Sequence, residues 1–104
     1  MTNTIYSINH VSIRLTDERW RHIVENHNDL ASYYFEVLET VAHPEFVFGG
    51  DAGELWAAQL LTRRKAIVVL YREFALQNDG FIITAFFTTK IKKLFKRRIL
   101  WQRQ

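Results

Sequence analysis

The chain has 104 residues, of which 48% are hydrophobic and 24% charged, and it contains no cysteine. This composition predicts one folded domain over residues 1–104, and it excludes disulfides, thiolate metal sites and a cysteine nucleophile. No uncharged apolar run approaches the length of a membrane span, and the N-terminus lacks the pattern of a secretion signal. We therefore expect a cytoplasmic protein without a membrane-spanning segment.

The net charge of +3 hides an asymmetry along the chain. From Lys90 onward there are seven Lys or Arg residues and no acidic residue, whereas residues 1–89 hold seven basic and eleven acidic residues. Such a local concentration of positive charge favours contact with a polyanion. Nucleic acid, an acidic protein segment and an anionic membrane surface are the candidate partners.

The first elements predicted along the chain are a strand hairpin and a helix. Apolar and polar residues alternate over residues 11–15, as in a half-buried strand, and residues 6–8 are its expected partner. Thr16 is a favourable helix N-cap, and two acidic residues follow it in the first turn. We therefore expect a first helix over residues 17–26.

The remaining pattern predicts a second helix, four strands and a last helix. The second helix covers residues 29–42 and ends before Pro44. The predicted strands are residues 45–48, 54–61, 66–73 and 81–88, and the last helix is the basic segment 89–104. This order indicates an α+β fold, with N-terminal helices packed on a four-stranded antiparallel sheet and a basic C-terminal helix.

The strand FIITAFFT carries two hydroxyl groups within an apolar segment. With a period of two, the residues on one face of the sheet are Ile82, Thr84, Phe86 and Thr88. Threonine favours strands and can bond to neighbouring backbone, so a structural role is one interpretation. The other is that the two threonines form the floor of a pocket, beside Arg72 at the end of the preceding strand.

Five segments over residues 13–88 carry a resemblance to a known family. They are, in chain order, LTDERWRHIVENH, AHPEFVF, GGDAGELWA, VVLYRE and DGFIITAFFT. Together they resemble the barnase/EndoU/colicin/RelE-like nucleases, which share the BECR fold. The resemblance implies N-terminal helices on a four-stranded antiparallel sheet and metal-independent cleavage of RNA, often as the toxin of a toxin–antitoxin pair. RNA and an acidic antitoxin protein are then the expected partners.

Histidines on the first helix are the candidates for proton transfer. Metal-independent cleavage needs a base for the ribose 2′-hydroxyl proton and an acid for the departing 5′-oxygen. His27 is the leading candidate for either role, because it stands in the ENH segment that resembles the family's helix-ending histidine motif. A histidine on an apolar helix face is otherwise a core or capping residue. His22 also matches the resemblance, through RWRHI, but its helix position directs it toward solvent.

Arg72 is the candidate phosphate clamp, because a planar guanidinium matches the geometry of phosphate oxygens. The alternative is an exposed arginine at a strand end that pairs with Glu73 or Asp79. The other predicted roles in the cleft belong to a carboxylate and two hydroxyls.

Glu54, after the glycine turn, would orient a histidine or accept a proton, although an exposed strand-edge carboxylate is the commoner state. Thr84 and Thr88 would bind the substrate or the transition state by hydrogen bonds. Tyr71 is a reserve candidate, because RelE-like enzymes often use tyrosine. The spacing identifies no paired glutamate and histidine of the barnase kind, so the acid and base roles stay unassigned.

The basic C-terminal segment is the candidate RNA-binding element. Its cations would bind phosphates with an affinity that falls steeply as salt rises, and they are Lys90, Lys92, Lys93, Lys96 and Arg97. The alternatives are a solvated face that only aids solubility, and a helix on an anionic membrane surface. Membrane insertion ranks last, because the residues expected to face inward have a sheet to pack on.

No metal or cofactor is predicted. His22 and His27 point apart on their helix, no HExxH motif or acidic cluster is present, and the GGDAG turn lacks the lysine of a nucleotide-binding loop. Two rival hypotheses remain open: a non-catalytic RNA- or protein-binding module on the same fold, and a partner-dependent regulator without cleavage activity.

Overall fold

The structure is a computed structural model, and it describes residues 2–104. Within them the strands are β1 (Thr2–Tyr6), β2 (Ser12–Thr16), β3 (Phe46–Gly49), β4 (Leu55–Thr62), β5 (Lys65–Phe74), β6 (Asp79–Thr88) and β7 (Ile99–Gln102). The helices are α1 (Asp17–Asn26), α2 (Tyr34–Ala42) and α3 (Ile91–Leu94), with 3₁₀ turns at Asn28–Leu30 and Ala75–Gln77. In this part of the chain no helix is long and apolar enough to cross a membrane.

The predicted fold class is wrong. The molecule is mostly sheet, and over residues 2–104 it forms a seven-stranded mixed sheet instead of a four-stranded antiparallel one. The strand order is β1-β2-β6-β5-β4-β3-β7, in which β2 and β6 are parallel and the other neighbours antiparallel. The three strands outside the predicted four are β1 and β2 at one edge and β7 at the other.

The predicted N-terminal hairpin joins the main sheet and extends it beyond the four strands predicted there. β1 pairs with β2 from Thr2↔Thr16 to Tyr6↔Ser12, so β1 starts earlier than the predicted partner at residues 6–8. The chain turns just after Tyr6, where the His10 N–H donates to the Ser7 carbonyl at 2.9 Å. His10 has φ 61, a left-handed conformation that suits a tight turn.

The first helix begins and ends where the sequence predicts. The Thr16 hydroxyl oxygen accepts a hydrogen bond from the Arg19 N–H at 3.1 Å, and α1 covers Asp17–Asn26. The second predicted helix is shorter than residues 29–42. A 3₁₀ turn comes first, closed by the Ala31 N–H on the Asn28 carbonyl at 3.2 Å, and α2 begins only at Tyr34.

The predicted C-terminal helix over residues 89–104 is wrong as well. α3 is a single turn over Ile91–Leu94, and the chain then returns as β7 alongside β3. Clustered lysines and arginines repel each other along a helix, which disfavours continuation past this turn. The following run ILWQ supplies aliphatic and aromatic residues that favour a strand, and it satisfies the backbone groups along the edge of β3.

The two faces of the sheet carry separate apolar cores. One face, here called the helix face, carries Ala57, Val69 and Ala85 and packs against α1 and α2. The other, here called the far face, carries Ala58, Val68 and Phe86 and packs against α3. Leu94 of α3 is only 5% exposed, so this short element covers part of the far face.

A bulge in β6 changes the predicted alternation. Leu70 pairs with Thr84 but the next residue, Tyr71, pairs with Ile82, so Ile83 is the extra residue. Ile82 therefore joins the helix-face core, whereas Thr84 points to the far face. The prediction that these two side chains share one face was wrong.

Gly80 occupies a position where the backbone of β6 passes very close to its neighbours. A Cβ added there would lie 2.2 Å from the Arg72 carbonyl oxygen and 2.5 Å from Ile13 Cδ1. We expect Gly80→Ala to lower the free energy of unfolding by about 1–3 kcal/mol, since the surrounding strands must shift. Urea denaturation measures this change. Gly49→Ala is the matched control, because the nearest contact of its added Cβ would be an ordinary 3.7 Å to a Leu100 side-chain atom. Equal stability of the two variants would contradict the close approach of the backbone at Gly80.

Candidate active site

The far face brings several of the predicted residues together. Antiparallel partners point to the same face, and the register aligns Trp56, Leu70 and Thr84 in one row across β4, β5 and β6. Arg72 lies two residues beyond Leu70 on β5, and Phe86 lies two residues beyond Thr84 on β6. Because the strands run in opposite directions, Arg72 and Phe86 flank this row on its two sides.

His27 reaches the far face at the free edge of β6. β2 pairs with β6 only at Arg14↔Phe81, so among residues 2–104 the later part of β6 has no strand on that side. His27 ends α1, and its ring centroid lies 6.1 Å from that of Phe86 with the planes tilted by 39°. The side chain is half-buried, so the imidazole contacts the sheet and keeps access to solvent.

An open cavity of about 260 Å³ lies beside Trp56 and Phe86, whose rings meet edge to face at 5.9 Å. The other lining residues are Thr88, Lys90, Lys93, Leu94 and Arg97. The floor is therefore aromatic and apolar, and the rim carries three cations. The volume lies just below the range of about 300–1,000 Å³ typical of small-molecule sites.

Arg72 has a free guanidinium beside the Trp56 row. Neither alternative carboxylate pairs with it: Asp79 pairs with Arg14, and Glu73 accepts from the Asn9 side chain. Within residues 2–104 the Arg72 side chain makes no hydrogen bond and no ion pair. Its donors therefore remain available for an anion.

The glycine turn between β3 and β4 passes close to this guanidinium. A Cβ added at Gly53 would lie 3.5 Å from Arg72 Nη1, and Gly53 has φ 86, which favours glycine. The turn between β3 and β4 therefore passes close to Arg72 without covering it. This is the turn that also holds Glu54.

Glu54 is a hydrogen-bond acceptor that braces the turn. Its carboxylate accepts from the Ala52 N–H at 2.9 Å and from the Trp56 indole N–H at 3.3 Å. The Ala52 bond is the main reason that the pKa of Glu54 lies below the ordinary value, with further contributions from its own N–H, from Trp56 and from the charge of Arg72. The structure thus ties Glu54 to Trp56, and the described residues give its carboxylate no histidine partner.

The lowered pKa of Glu54 gives a test of this bracing. Because folding lowers the pKa of Glu54, the ionised carboxylate stabilises the turn at pH values above 4.5, the ordinary pKa of this group. This contribution is lost as the pH falls through the folded-state pKa. An NMR titration of the Glu54 carboxyl carbon should give a midpoint below 4.5. Trp56→Phe removes one donor and should move the midpoint upward. A wild-type midpoint at or above the ordinary value would contradict these hydrogen bonds.

The two threonines occupy different parts of the far face. Thr84 stands in the Trp56 row, whereas Thr88 lies four residues further along β6, about 13 Å away in an extended strand. The Thr88 hydroxyl oxygen accepts from the Lys90 N–H at 3.1 Å and lines the cavity. Thr84 therefore belongs with Arg72, and Thr88 belongs to the cavity rim.

The predicted RNA-binding cations divide into two groups. Lys90, Lys93 and Arg97 line the cavity, and Arg97 lies 3.7 Å over the Trp56 ring. Lys92 and Lys96 are exposed and lie outside that cavity. The basic segment therefore contributes one cation-rich wall of the site, although it is not the helix that was predicted.

Two candidates lie away from the site. The His22 side chain points to solvent and lies 4.0 Å from the Glu25 carboxylate. Tyr71 is fully buried in the helix-face core, and this burial raises its pKa, with a smaller effect from the charge of Glu73. The Tyr71 hydroxyl has no hydrogen-bond partner among residues 2–104. Neither side chain can reach a substrate on the far face.

Trp56 and Phe86 are site residues that the sequence analysis did not select. The sequence pattern predicts ordinary core residues at both positions, because aromatic side chains are common in strands. One signal was present for Trp56, which follows Glu54 by two residues and so shares its strand face. The register that joins Trp56 to Thr84 through Leu70 was not visible in the sequence.

Comparison with known proteins finds no match for this chain among family models, curated proteins or solved structures. The resemblance to the BECR-fold nucleases therefore stays a prediction. Within residues 2–104, no group of three or more His, Cys, Asp or Glu side chains could hold a metal ion.

Proposed function

We propose that the far face binds single RNA strands and cleaves them as a metal-independent endoribonuclease. The observation that carries this proposal is the cavity with an aromatic floor and a cationic rim, on the same sheet face as the free guanidinium of Arg72. Unpaired bases stack on aromatic rings such as Phe86 and on guanidinium planes such as that of Arg97 over Trp56, and arginine and lysine hold the phosphates between them. The same combination is what recognition of single-stranded RNA requires.

Cleavage would proceed by attack of the ribose 2′-oxygen on the adjacent phosphorus. A bond forms between these atoms as the bond to the 5′-oxygen breaks, which leaves a 2′,3′-cyclic phosphate and a free 5′-hydroxyl. His27 transfers the proton at one of these two oxygens, because it is the imidazole that borders the site. Arg72 and the Thr84 hydroxyl stabilise the negative charge on the phosphate.

A specific observation favours the alternative of a non-catalytic RNA-binding module. Glu54, the other candidate for proton transfer, is committed to the Ala52 and Trp56 donors and is held ionised. His27 would then lack a second proton-transfer partner in the protein. In this alternative the same surface binds RNA and leaves it intact.

A toxin of a toxin–antitoxin pair is the biological setting that we propose for such an enzyme in the cytoplasm. An acidic antitoxin would cover the cations on the cavity rim, Lys90, Lys93 and Arg97, and so compete with RNA. Residues before Lys90 supply the rest of the site. The antitoxin and the RNA would therefore bind overlapping surfaces.

The decisive experiment incubates the purified protein with total RNA in EDTA. We expect cleavage, and we expect the new ends to carry 2′,3′-cyclic phosphate, which mass spectrometry identifies. Fluorescence anisotropy with a 2′-O-methyl RNA oligonucleotide, which cannot be cleaved by this route, measures binding separately. Binding without any cleavage would leave the binding module, and loss of both would refute the proposal.

A further inference from the structure

Arg97 is already occupied by a carboxylate in the cavity wall. Its Nη1 and Nη2 donate to the two carboxylate oxygens of Asp51 at 3.0 and 3.2 Å. Nη1 also donates to the Gly49 carbonyl at 3.3 Å, and the guanidinium lies 3.7 Å over the Trp56 ring. Asp51 therefore uses both terminal nitrogens of the fork, which are the donors that a phosphate group would use.

The position of Asp51 makes this contact displaceable. Asp51 is 87% exposed in the glycine-rich turn between β3 and β4, whereas Arg97 is only 23% exposed. The hydrogen bonds and charge of Arg97 lower the pKa of Asp51, so the carboxylate is ionised at neutral pH. An ion pair this exposed changes an equilibrium by about five-fold at most. The pair is therefore strong enough to hold Arg97 in place and too weak to exclude a phosphate.

From this geometry we infer that Asp51 occupies the phosphate position on Arg97 in the free protein and that a phosphate of the bound RNA strand displaces it. The inference rests on the proposed RNA binding of the far face. Arg97 stays over Trp56 when Asp51 leaves, because the ring contact does not involve the carboxylate. The arginine is then preorganised for its ligand, and Asp51 is a residue that sets RNA affinity.

A second cavity marks where the bound RNA strand would continue. It has a volume of about 520 Å³, and its lining residues are Gly49, Gly50, Asp51, Lys93, Lys96, Arg97 and Arg98. It shares Lys93 and Arg97 with the first cavity. Asp51 lies beside the two shared cations, so its departure opens a continuous cationic path between the two cavities. A chain of nucleotides fits such a path better than a single small anion.

Binding of a fluorescein-labelled 2′-O-methyl RNA oligonucleotide tests the inference. Asp51→Asn keeps the shape of the turn and removes the competing charge, and we expect it to bind about three- to five-fold more tightly than the wild type. Glu18→Gln is the matched control, since it removes an exposed acidic residue at the far end of α1. That control should change affinity less than two-fold.

The double variant separates displacement from simple loss of repulsion. In an Arg97→Lys background, which keeps the charge and loses the fork, Asp51→Asn should give no gain beyond the Glu18→Gln control. Circular dichroism verifies that each variant is folded. A gain that persists in this background, or an equal gain from the control, would overturn the inference while leaving RNA binding intact. Tighter binding by Asp51→Asn without RNA cleavage would support the displacement and count against the nuclease.

Discussion

Arg72→Ala should lower RNA affinity by about ten-fold or more, since a hydrogen-bonded contact with a charged group contributes about 1.5–3 kcal/mol. The guanidinium has no hydrogen-bonding partner among the described residues. Its removal should therefore lower the stability of the fold little and the affinity for RNA much more. The slope of log affinity against log salt should also fall by about one, as expected for loss of one phosphate contact. Anisotropy titrations across a salt series measure both quantities.

Two further variants test whether the effect is specific to the guanidinium of Arg72. Arg72→Lys keeps the charge and loses the planar fork, so its affinity should lie between those of the wild type and Arg72→Ala. Arg21→Ala removes an exposed arginine from α1, away from the far face, and should leave both affinity and salt slope nearly unchanged. If Arg21→Ala and Arg72→Ala weaken binding equally, the positive charge acts in a general way and Arg72 is not a phosphate clamp.

His27→Ala should reduce the rate of RNA cleavage by about 10²–10⁴, the range associated with a positioned acid or base. Binding of 2′-O-methyl RNA should change much less, because the imidazole contacts Phe86 at the edge of the cavity and does not line it. The rate under single-turnover conditions and the anisotropy titration give the two quantities independently.

The same helix provides a matched control. His22→Ala removes an imidazole that points to solvent beside Glu25, five residues before His27, and it should cleave RNA at the wild-type rate. Cleavage by His27→Ala at the wild-type rate would instead remove His27 from the mechanism. A loss of rate in both variants would point to a general effect on α1.

Local signals in the sequence determined the first helix well. Thr16 caps α1 because its side chain and the following acidic turn act within a few residues, and the bounds Asp17–Asn26 follow from them. The strand positions of β4, β5 and β6 were likewise predicted to within a few residues, from their apolar runs and glycine turns. Elements whose cause lies in neighbouring sequence were the predictable ones.

The errors arose where a distant partner decides the structure. Residues 99–102 form a strand because β3 offers them an unpaired edge, which an amphipathic pattern in the basic segment cannot reveal. The bulge at Ile83 changes the face of Ile82 and follows from the way β5 and β6 pair. The parallel contact at Arg14↔Phe81 joins segments far apart in the chain.

The site was predictable in its chemistry and not in its geometry. Arg72 and Thr84 were selected from their positions at strand ends and faces, and the register places them on one face. Thr88 was expected in the same cluster, but the length of an extended strand separates it from Arg72. The role of Trp56 depends on its pairing with Leu70, which the sequence does not contain.

In the proposed function, RNA binds to the far face of the sheet. The most direct measurement is a ¹⁵N NMR titration with an uncleavable 2′-O-methyl RNA oligonucleotide at low salt. We predict the largest shifts at the Trp56 indole N–H and at the backbone amides of Arg72, Thr84 and Phe86, with little change at Val37 in the helix-face core. Shifts confined to the helices α1 and α2, or no shifts at any RNA concentration, would contradict RNA binding on the far face.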